Sequence, residues 1–309
     1  MTPRALAVLI ALGSVWGASF LFIKVVVEET SPAALVEGRL FFGLLAVLAV
    51  LAYRGGPFRW SPSLLLKVSA MAVLSNIVPF LLIAWAEERI DSGVTSVLNS
   101  TMPLFTAVFA AALLAEERVT VARFAGLFLG LLGVVVLTGG DIVDVTDSSV
   151  VGQLAVVASA ACYALGAVYA RVLLRSEEPL GLSGLQLLAG TLLALPLLLI
   201  LDGGRPHYSL SVEGWLSLVT LGVMGTGFGY VTYLWLVDHV GSVRTSLVTY
   251  VLPVVGLFLG WAVLDESLGL NTLVGAALII AGVASVMRGQ APARQRVVPV
   301  AAPEASAAD

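Results

Sequence analysis

The chain has 309 residues, of which 59% are hydrophobic and only 12% are charged, and its mean hydropathy is +1.01. Soluble domains carry about 45–50% apolar and about 25% charged residues, so this composition excludes a soluble globular protein. The net charge of −4 and the lack of any Lys/Arg run argue against a nucleic-acid partner. A single cysteine, Cys162, excludes an intrachain disulfide, and with only two histidines we expect no metal site and no cofactor.

Long apolar runs separated by short charged segments divide the chain into ten candidate membrane-spanning helices. Most approach the length of about 20 residues that crosses a bilayer, and none shows the alternating polarity of a membrane barrel. The fifth and tenth are the short ones. The predicted spans are 6–27, 33–53, 64–86, 92–115, 121–138, 151–174, 182–201, 215–237, 243–264 and 270–287. Residues 288–309, which are rich in Ala, Pro and Arg, are expected to form a disordered tail.

The basic residues predict the orientation of these spans. Ten spans separate the loops into two alternating sets, and the set that includes both termini holds twelve basic residues against three in the other. Because basic residues are retained on the cytoplasmic side, both termini are expected to be cytoplasmic. Only two lysines against fourteen arginines hints at a bacterial genome and a bacterial inner membrane.

The two halves of the chain resemble each other when one is displaced by about 150 residues. Polar and small residues stay in order across five helices, which chance matching of apolar helices would not easily produce. The matches, with the first half named first, are Trp16 with Tyr163, Trp85 with Trp235, Pro103 with Pro253, Glu116 with Glu266, Gly126 with Gly275 and Gly133 with Gly282.

An odd number of helices in each repeat means that the second repeat enters the membrane from the other side. Inverted repeats are the architecture of many secondary transporters, whose halves rock around a central site. We therefore predict an all-α integral membrane protein with ten transmembrane helices, built as two inverted five-helix repeats around a central cavity. The first repeat is expected at 1–140 and the second at 151–287.

Several motifs recur in order along these spans. The first span reads Trp16-Gly17-Ala18-Ser19-Phe20 and continues to Lys24, and the second opens after Pro32 and carries Arg39-Leu40. Pro103 and Pro253 each stand thirteen residues ahead of a glutamate, and a glycine-rich helix follows each pair. Together these features resemble the EamA-type transporters of the drug/metabolite transporter superfamily, over essentially residues 6–287.

The resemblance implies a secondary transporter of small metabolites, notably amino acids and their derivatives, and often an exporter rather than an enzyme. The second repeat departs from the family pattern, because it has Tyr163-Ala164 in place of Trp16-Gly17 and Gln186 in place of Arg39. The expected partners are a small-molecule substrate and the lipid bilayer, with the protein acting as a monomer or homodimer.

Other functions stay open. Import or antiport of nucleotide-sugars, phosphorylated solutes or drug-like solutes is the main alternative. A non-transporting membrane protein is a further one. An intramembrane enzyme is disfavoured because the sequence has no HExxH, no GxSxG and no histidine in mid-membrane.

Charged residues inside a span are costly, so Arg39 and Glu37 each need an explanation. Arg39 could bind a substrate carboxylate or phosphate, or it could extend to the interface or brace a neighbouring helix. Glu37 is the one carboxylate well inside a predicted span, which makes it the candidate for proton coupling; solvation at the interface is the alternative.

Other mid-span residues could line the cavity or simply pack and hydrogen-bond between helices. These cavity candidates are the aromatic Trp16, Tyr163 and Tyr250 and the polar Asn76, Asn99 and Gln186. Pro79, Pro103 and Pro253 are expected to kink their helices and contribute to gating. Glu116 and Glu266 form a matched pair at helix ends, for which we expect a structural role.

Overall fold

The computed structural model describes residues 1–54, 60–113, 120–139, 147–174, 176–204 and 208–288. Within these ranges the regular structure is helical, and ten long helical segments follow one another along the chain. They are α1 (Pro3–Val27), α2 (Pro32–Arg54), α3 (Pro62–Glu87), α4 (Ser92–Leu113), α5 (Val121–Thr138), α6 (Ser148–Leu173), α7 (Pro179–Leu201), α8 (Val212–Val240), α9 (Val248–Leu264) and α10 (Leu270–Arg288). The tail predicted at 288–309 lies outside the described residues, apart from Arg288.

The ten predicted spans correspond one to one with these helices. Eight of the helices are long and apolar enough to cross a membrane, and the apolar parts of α5 and α9 are shorter, at Phe124–Thr138 and Val248–Leu264. The ninth segment was predicted from residue 243, but a short helical turn (Ser242–Thr245) precedes α9 and the long helix begins only at Val248. The short members are therefore the fifth and ninth rather than the fifth and tenth.

Helix starts follow from local sequence. Proline occupies the first turn of α1, α3 and α7, where its missing N–H is not needed. Side-chain oxygens of Thr2, Ser61 and Ser211 accept hydrogen bonds from free backbone N–H groups at the starts of α1, α3 and α8. The local sequence thus accounts for where these helices begin.

Two helices carry π-helical turns in the middle of the membrane region, one in each half of the chain. They are Val73–Ile77 in α3 and Leu221–Phe228 in α8. When the first half is displaced by 150 residues, the π-helical turn of α3 falls within that of α8. Such turns are rare and frequently mark functional sites, so their recurrence at matched positions points to this level of the bundle.

Helix packing repeats the correspondence between the two halves. The α1–α9 interface corresponds to α6–α4, and the α2–α8 interface corresponds to α7–α3. The α5–α10 interface corresponds to itself, because α5 and α10 are matched helices of the two repeats. A Cβ at Gly126 would lie 2.6 Å from the carbonyl oxygen of Gly282, and a Cβ at Gly133 would lie 2.8 Å from the carbonyl oxygen of Gly275. Only glycines allow these backbones to approach so closely.

Polar contacts join the two repeats on one side of the bundle. We call the side where α1 begins and α10 ends the N-terminal face, and the side where α1 ends the opposite face. At the opposite face the Glu29 carboxylate accepts bonds of 2.6 Å from both the backbone N–H and the hydroxyl of Ser211, and Ser31 donates to Asp202 at 2.8 Å. The Ser211 donors hold the pKa of Glu29 below its ordinary value. These contacts hold the loops after α1 and α7 together.

Candidate functional site

Arg39 lies on α2 within the bundle and is 7% exposed. Its Nε donates a 2.9 Å hydrogen bond to the hydroxyl of Thr226, in the π-helical turn of α8. Its guanidinium carbon stands 3.7 Å from the centre of the Phe80 ring. These contacts orient the side chain, but they bring no negative charge to it.

A second polar contact lies between α3, α7 and α8. Asn76, in the π-helical turn of α3, donates from Nδ2 to the Tyr230 hydroxyl at 2.7 Å. Gln186 of α7 donates from Nε2 to the Asn76 Oδ1 at 2.6 Å. Asn76 is 0% and Gln186 3% exposed, so an internal network satisfies these amide groups, as a buried polar group requires.

The two contacts are related by the repeat. Arg39 matches Gln186, and Thr226 matches Asn76 when the first half is displaced by 150 residues. In each pair a polar side chain from the second helix of one repeat meets a side chain from the π-helical turn of the other. We call Arg39, Asn76, Gln186, Thr226 and Tyr230 the central polar cluster.

The central polar cluster is symmetric in position but not in charge. One half holds a guanidinium and the other holds a neutral amide. Tyr163, Tyr230 and Glu87 lie near enough to act electrostatically on Arg39, but no carboxylate of the described residues forms an ion pair with it. A buried cation without a paired anion is energetically costly, and such residues inside membranes are commonly functional.

Two of the predicted aromatic residues adjoin this cluster. Trp16 of α1 donates from Nε1 to the carbonyl oxygen of Gly225, in the π-helical turn of α8, at 2.9 Å. Tyr163 of α6 packs with its ring centre 6.3 Å from that of Phe80, the ring beneath Arg39. Of the predicted cavity residues, the fold therefore gathers Trp16, Arg39, Asn76, Tyr163 and Gln186 at the level of the π-helical turns.

Asn99 and Tyr250 lie elsewhere. Asn99 ends the first helical section of α4, just before an interruption at residues 100–101, and its Oδ1 is buried without a hydrogen-bond partner among the described residues. Tyr250 packs with the core formed by α4, α5, α6 and α10, and it lines a cleft of about 350 Å³ with Arg244 and Arg288 near the N-terminal face. Neither residue is part of the central polar cluster.

The three predicted kink prolines behave differently. Pro79 follows the π-helical turn of α3, and Pro103 follows the interruption of α4, as expected for a residue that lacks a backbone N–H. Pro253 lies inside α9, which continues on both sides of it. The prolines thus predicted two of the three irregular positions in the described helices. The third, the π-helical turn in α8, contains no proline and was not predicted.

Glu37 lies two residues before Arg39, towards the opposite face. It is 9% exposed, and its Oε2 has no hydrogen-bond partner in the described part of the chain. Tyr208, in the segment before α8, donates to the carbonyl oxygen of Ala34 at 3.1 Å. Burial, with smaller contributions from the charges of Glu37 and Asp202, raises the pKa of Tyr208 to about 12, so its hydroxyl stays protonated beside Glu37.

Glu87 is a buried carboxylate that lies one residue beyond the predicted third span, 64–86. It ends α3, has 0% exposure, and neither of its oxygens has a hydrogen-bond partner among the residues described. The Lys24 ammonium donates instead to the backbone carbonyls of Glu87 (2.5 Å) and Ile90 (3.2 Å). The only sequence signal was its place in a run of three charged residues, which is typical of a solvated helix end.

Glu266 follows α9 and bonds to the start of α4. Its two oxygens accept hydrogen bonds from the backbone N–H groups of Ser92 (2.7 Å) and Gly93 (2.9 Å), a favourable site for negative charge. Burial raises the pKa of the neighbouring Asp91, and the Glu266 carboxylate raises it further. A structural role for Glu266 stays a prediction, and its partner Glu116 lies outside the described residues. We call Lys24, Glu87, Asp91 and Glu266 the opposite-face cluster.

The fold and its central polar cluster define a class of protein. Ten apolar helices form two five-helix repeats, and polar groups from both repeats meet midway along the helices. This is the arrangement of a multi-pass membrane transporter built from two repeats.

Comparison with known proteins places the chain in a family. The model of the EamA-like transporter family matches residues 4–139 and again residues 150–288, so the chain belongs to this family. The resemblance noted from the sequence motifs is thereby confirmed.

Named relatives are similar over nearly their whole length. The "Uncharacterized transporter YoaV" of Bacillus subtilis is 25% identical over 275 residues, which cover 89% of this chain and 94% of the relative. An "Uncharacterized transporter" of Archaeoglobus fulgidus is 29% identical, with 88% and 95% covered. The "Uncharacterized inner membrane transporter YedA" of Escherichia coli is 26% identical, with 94% of each chain covered. A solved crystal structure with 22% identity aligns with a TM-score of 0.65 over 93% of this chain and 98% of the other, which supports the fold.

Proposed function

We propose that the chain is a secondary transporter that exports small metabolites bearing a carboxylate, such as amino acids or their derivatives. The observation that carries this proposal is the buried guanidinium of Arg39 in the central polar cluster, which forms no ion pair with a carboxylate of the described residues. A planar guanidinium binds a carboxylate through two parallel hydrogen bonds, which would supply the missing negative charge.

The rest of the cluster favours a substrate of modest size and charge. Arg39 is the only cationic member of the central polar cluster, whereas a phosphorylated solute would favour several basic groups. Asn76, Gln186 and Tyr230 offer neutral donors and acceptors for a second polar group, and Trp16 and Tyr163 offer rings for an apolar or cationic part. A zwitterion combines these features in one molecule.

Alternating access follows from the repeated architecture. The α2–α7 and α5–α10 interfaces lie between corresponding helices, so a rocking motion of the repeats would turn one arrangement into its pseudo-symmetric counterpart. Glu29–Ser211, Ser31–Asp202 and Glu266–Ser92 link the repeats at the opposite face. We propose that these three links separate when the site opens to that side.

The basic loops support an orientation in which the N-terminal face is cytoplasmic. Together with the relatives, they favour a bacterial inner-membrane protein. We propose that it acts as a monomer or homodimer in the bilayer, without a nucleic-acid partner. We further propose that Glu37 couples transport to protons, since its carboxylate is nearly buried two residues from Arg39.

Counterflow in proteoliposomes tests the substrate class. Purified protein, loaded with one unlabelled solute, is assayed for transient accumulation of the labelled solute, with amino acids, sugars, nucleosides, phosphorylated solutes and organic cations each tested. We expect accumulation of carboxylate-bearing amino acids or derivatives, and its loss in Arg39→Gln. Accumulation only of phosphorylated solutes or organic cations would contradict the carboxylate assignment, and silence from folded protein would favour a non-transporting role.

A further inference from the structure

Glu87 occupies an unusual position for an acidic residue. Its side chain is fully buried, and both carboxylate oxygens are without hydrogen-bond partners in the part of the chain that the structure describes. The hydroxyl of Ser92, also fully buried, is likewise without a partner there. Glu266, close by, accepts hydrogen bonds from backbone N–H groups at the start of α4. The Glu87 carboxylate accepts no such bonds from the described residues, so helix capping does not explain why it is buried.

The charges around Glu87 come from several elements. Lys24 of α1 and Arg39 of α2 attract a negative charge on it, and Glu266, which follows α9, repels one. Asp91, between α3 and α4, interacts with both Lys24 and Glu266. The opposite-face cluster thus places one ammonium among three carboxyl groups.

Lys24 does not form an ion pair with Glu87 in this arrangement. Its ammonium hydrogen bonds go to the carbonyl oxygens of Glu87 and Ile90, at the end of α3, where a positive charge is favoured. An ionised Glu87 carboxylate would then be buried without a direct hydrogen bond, which is strongly unfavourable, whereas the neutral acid costs much less to bury.

We propose that Glu87 is a proton-binding site that is loaded while the opposite face is closed and emptied when that face opens. On opening, the O–H bond of the acid breaks, the proton passes to water on that side, and the carboxylate that remains is stabilised by water and the nearby Lys24 ammonium. On closing, the carboxylate stays paired with Lys24 until it takes a proton from water on the N-terminal side, so each cycle moves one proton between the two aqueous phases.

This proposal rests on the proposed transport function and adds a proton site to it. A proton bound on one side can drive transport only if the site also exchanges with the other. Arg39 lies within electrostatic range of Glu87, so we place the exchange with the N-terminal side along the central polar cluster. A substrate carboxylate at Arg39 would change the potential at Glu87 and so couple the two occupancies.

The test compares Glu87→Gln with Glu88→Gln in the full chain, reconstituted in proteoliposomes. Glutamine resembles the protonated acid in shape and cannot release a proton. Glu88 is the matched control, because it is adjacent in sequence but is about one-third exposed and forms an ion pair of 2.7 Å with Arg89. Two assays are made with the amino acid found by counterflow: exchange at equal pH, and steady-state accumulation under a pH gradient.

We expect Glu87→Gln to retain exchange and to accumulate substrate about tenfold less for each unit of pH difference, since each coupled proton contributes about that factor. Glu88→Gln should match the wild type in both assays. Unchanged accumulation in Glu87→Gln would overturn the proposal. If the wild type shows no exchange, the proposed transport function fails instead, which is a distinct outcome.

A second measurement needs no substrate. In detergent, the melting temperature of the wild type should fall more steeply than that of Glu87→Gln as the pH rises from about 5 to about 8, because burial favours the protonated acid. Equal slopes, or a Glu87→Gln variant that fails to fold, would contradict the proposal, since glutamine mimics the form that we assign to the closed state.

Discussion

Replacing Arg39 with glutamine separates a substrate-binding role from a bracing role. Glutamine already occupies the matched position 186 in the second repeat, so the substitution makes the central polar cluster neutral in both halves. A hydrogen bond to a charged group contributes about 1.5–3 kcal/mol, and the loss of one such bond to a substrate carboxylate weakens binding by about 10- to 150-fold.

The same substitution is not expected to lower the stability of the protein. It removes the bond from Arg39 to Thr226, worth about 0.5–1.5 kcal/mol, and the contact with Phe80, worth about 0.5–2 kcal/mol. It also removes a buried unpaired charge, which costs about 2.5–3.5 kcal/mol on insertion scales. The balance runs from about 1 kcal/mol against the variant to about 2.5 kcal/mol in its favour, with a midpoint of about 0.75 kcal/mol in its favour, so we expect its melting temperature to be unchanged or slightly raised.

Both effects are measured on the same purified protein. Thermal unfolding in detergent without substrate gives the stability, and the substrate concentration at half-maximal counterflow gives the apparent affinity. A variant that unfolds at a lower temperature but keeps its apparent affinity would show that Arg39 braces the bundle, and it would refute the binding role.

Further substitutions test other parts of the structure. Glu37→Gln should weaken the dependence of transport on the pH gradient while sparing solute exchange, and unchanged dependence in a flux assay would end that hypothesis. Glu266→Gln weakens the charged cap at the start of α4 and should lower the unfolding free energy by about 1–2 kcal/mol in chemical denaturation, and no loss would argue against the cap. Gly133→Ala forces a side chain against the backbone of α10 and should cost about 1–3 kcal/mol, whereas Gly190→Ala, whose Cβ would meet its nearest neighbours at 3.5 Å, serves as the tolerated control. Because the folded pKa of Asp91 is raised, its contribution to stability is present at low pH and is lost as the pH rises through that value; Asp91→Asn should therefore raise the melting temperature at neutral pH, and a lower value would contradict the assignment.

The helices and their repetition were predictable because both depend on local sequence. Apolar runs interrupted by charged segments fixed the ten spans, and matched glycines such as Gly126 and Gly275 identified the corresponding helices. Those glycines pack as the repeat requires, on the two sides of the α5–α10 interface. The pairing of Arg39 with Thr226 was not predictable, because it depends on the way helices from different repeats cross.

Glu87 shows where sequence reasoning failed and why. A glutamate beside Glu88 and Arg89 reads as a solvated helix end, and Glu88 does form an exposed ion pair there. Glu87 is instead fully buried, and Lys24 of α1 and Glu266 after α9 lie within electrostatic range of it. Neighbouring residues at a helix end lie on different faces of the helix and can differ in solvent exposure. A run of charged residues therefore predicts only that some of them reach solvent.

Tyr250 and Asn99 illustrate a related difficulty. In a helix that is apolar on every face, periodicity does not reveal which side meets the substrate site and which meets other helices. Tyr250 lies in the first turn of α9, against the core around α10 and a cleft near the N-terminal face, whereas Tyr163 lies midway along α6 and approaches the central polar cluster.

Counterflow of a labelled amino acid, compared between the wild type and Arg39→Gln in proteoliposomes, tests the central claim most directly. The account predicts transient accumulation by the wild type and a shift of half-saturation to about 10- to 150-fold higher concentration in the variant, with the melting temperature unchanged or raised. Equal half-saturation in the two proteins, or accumulation confined to solutes without a carboxylate, would contradict it.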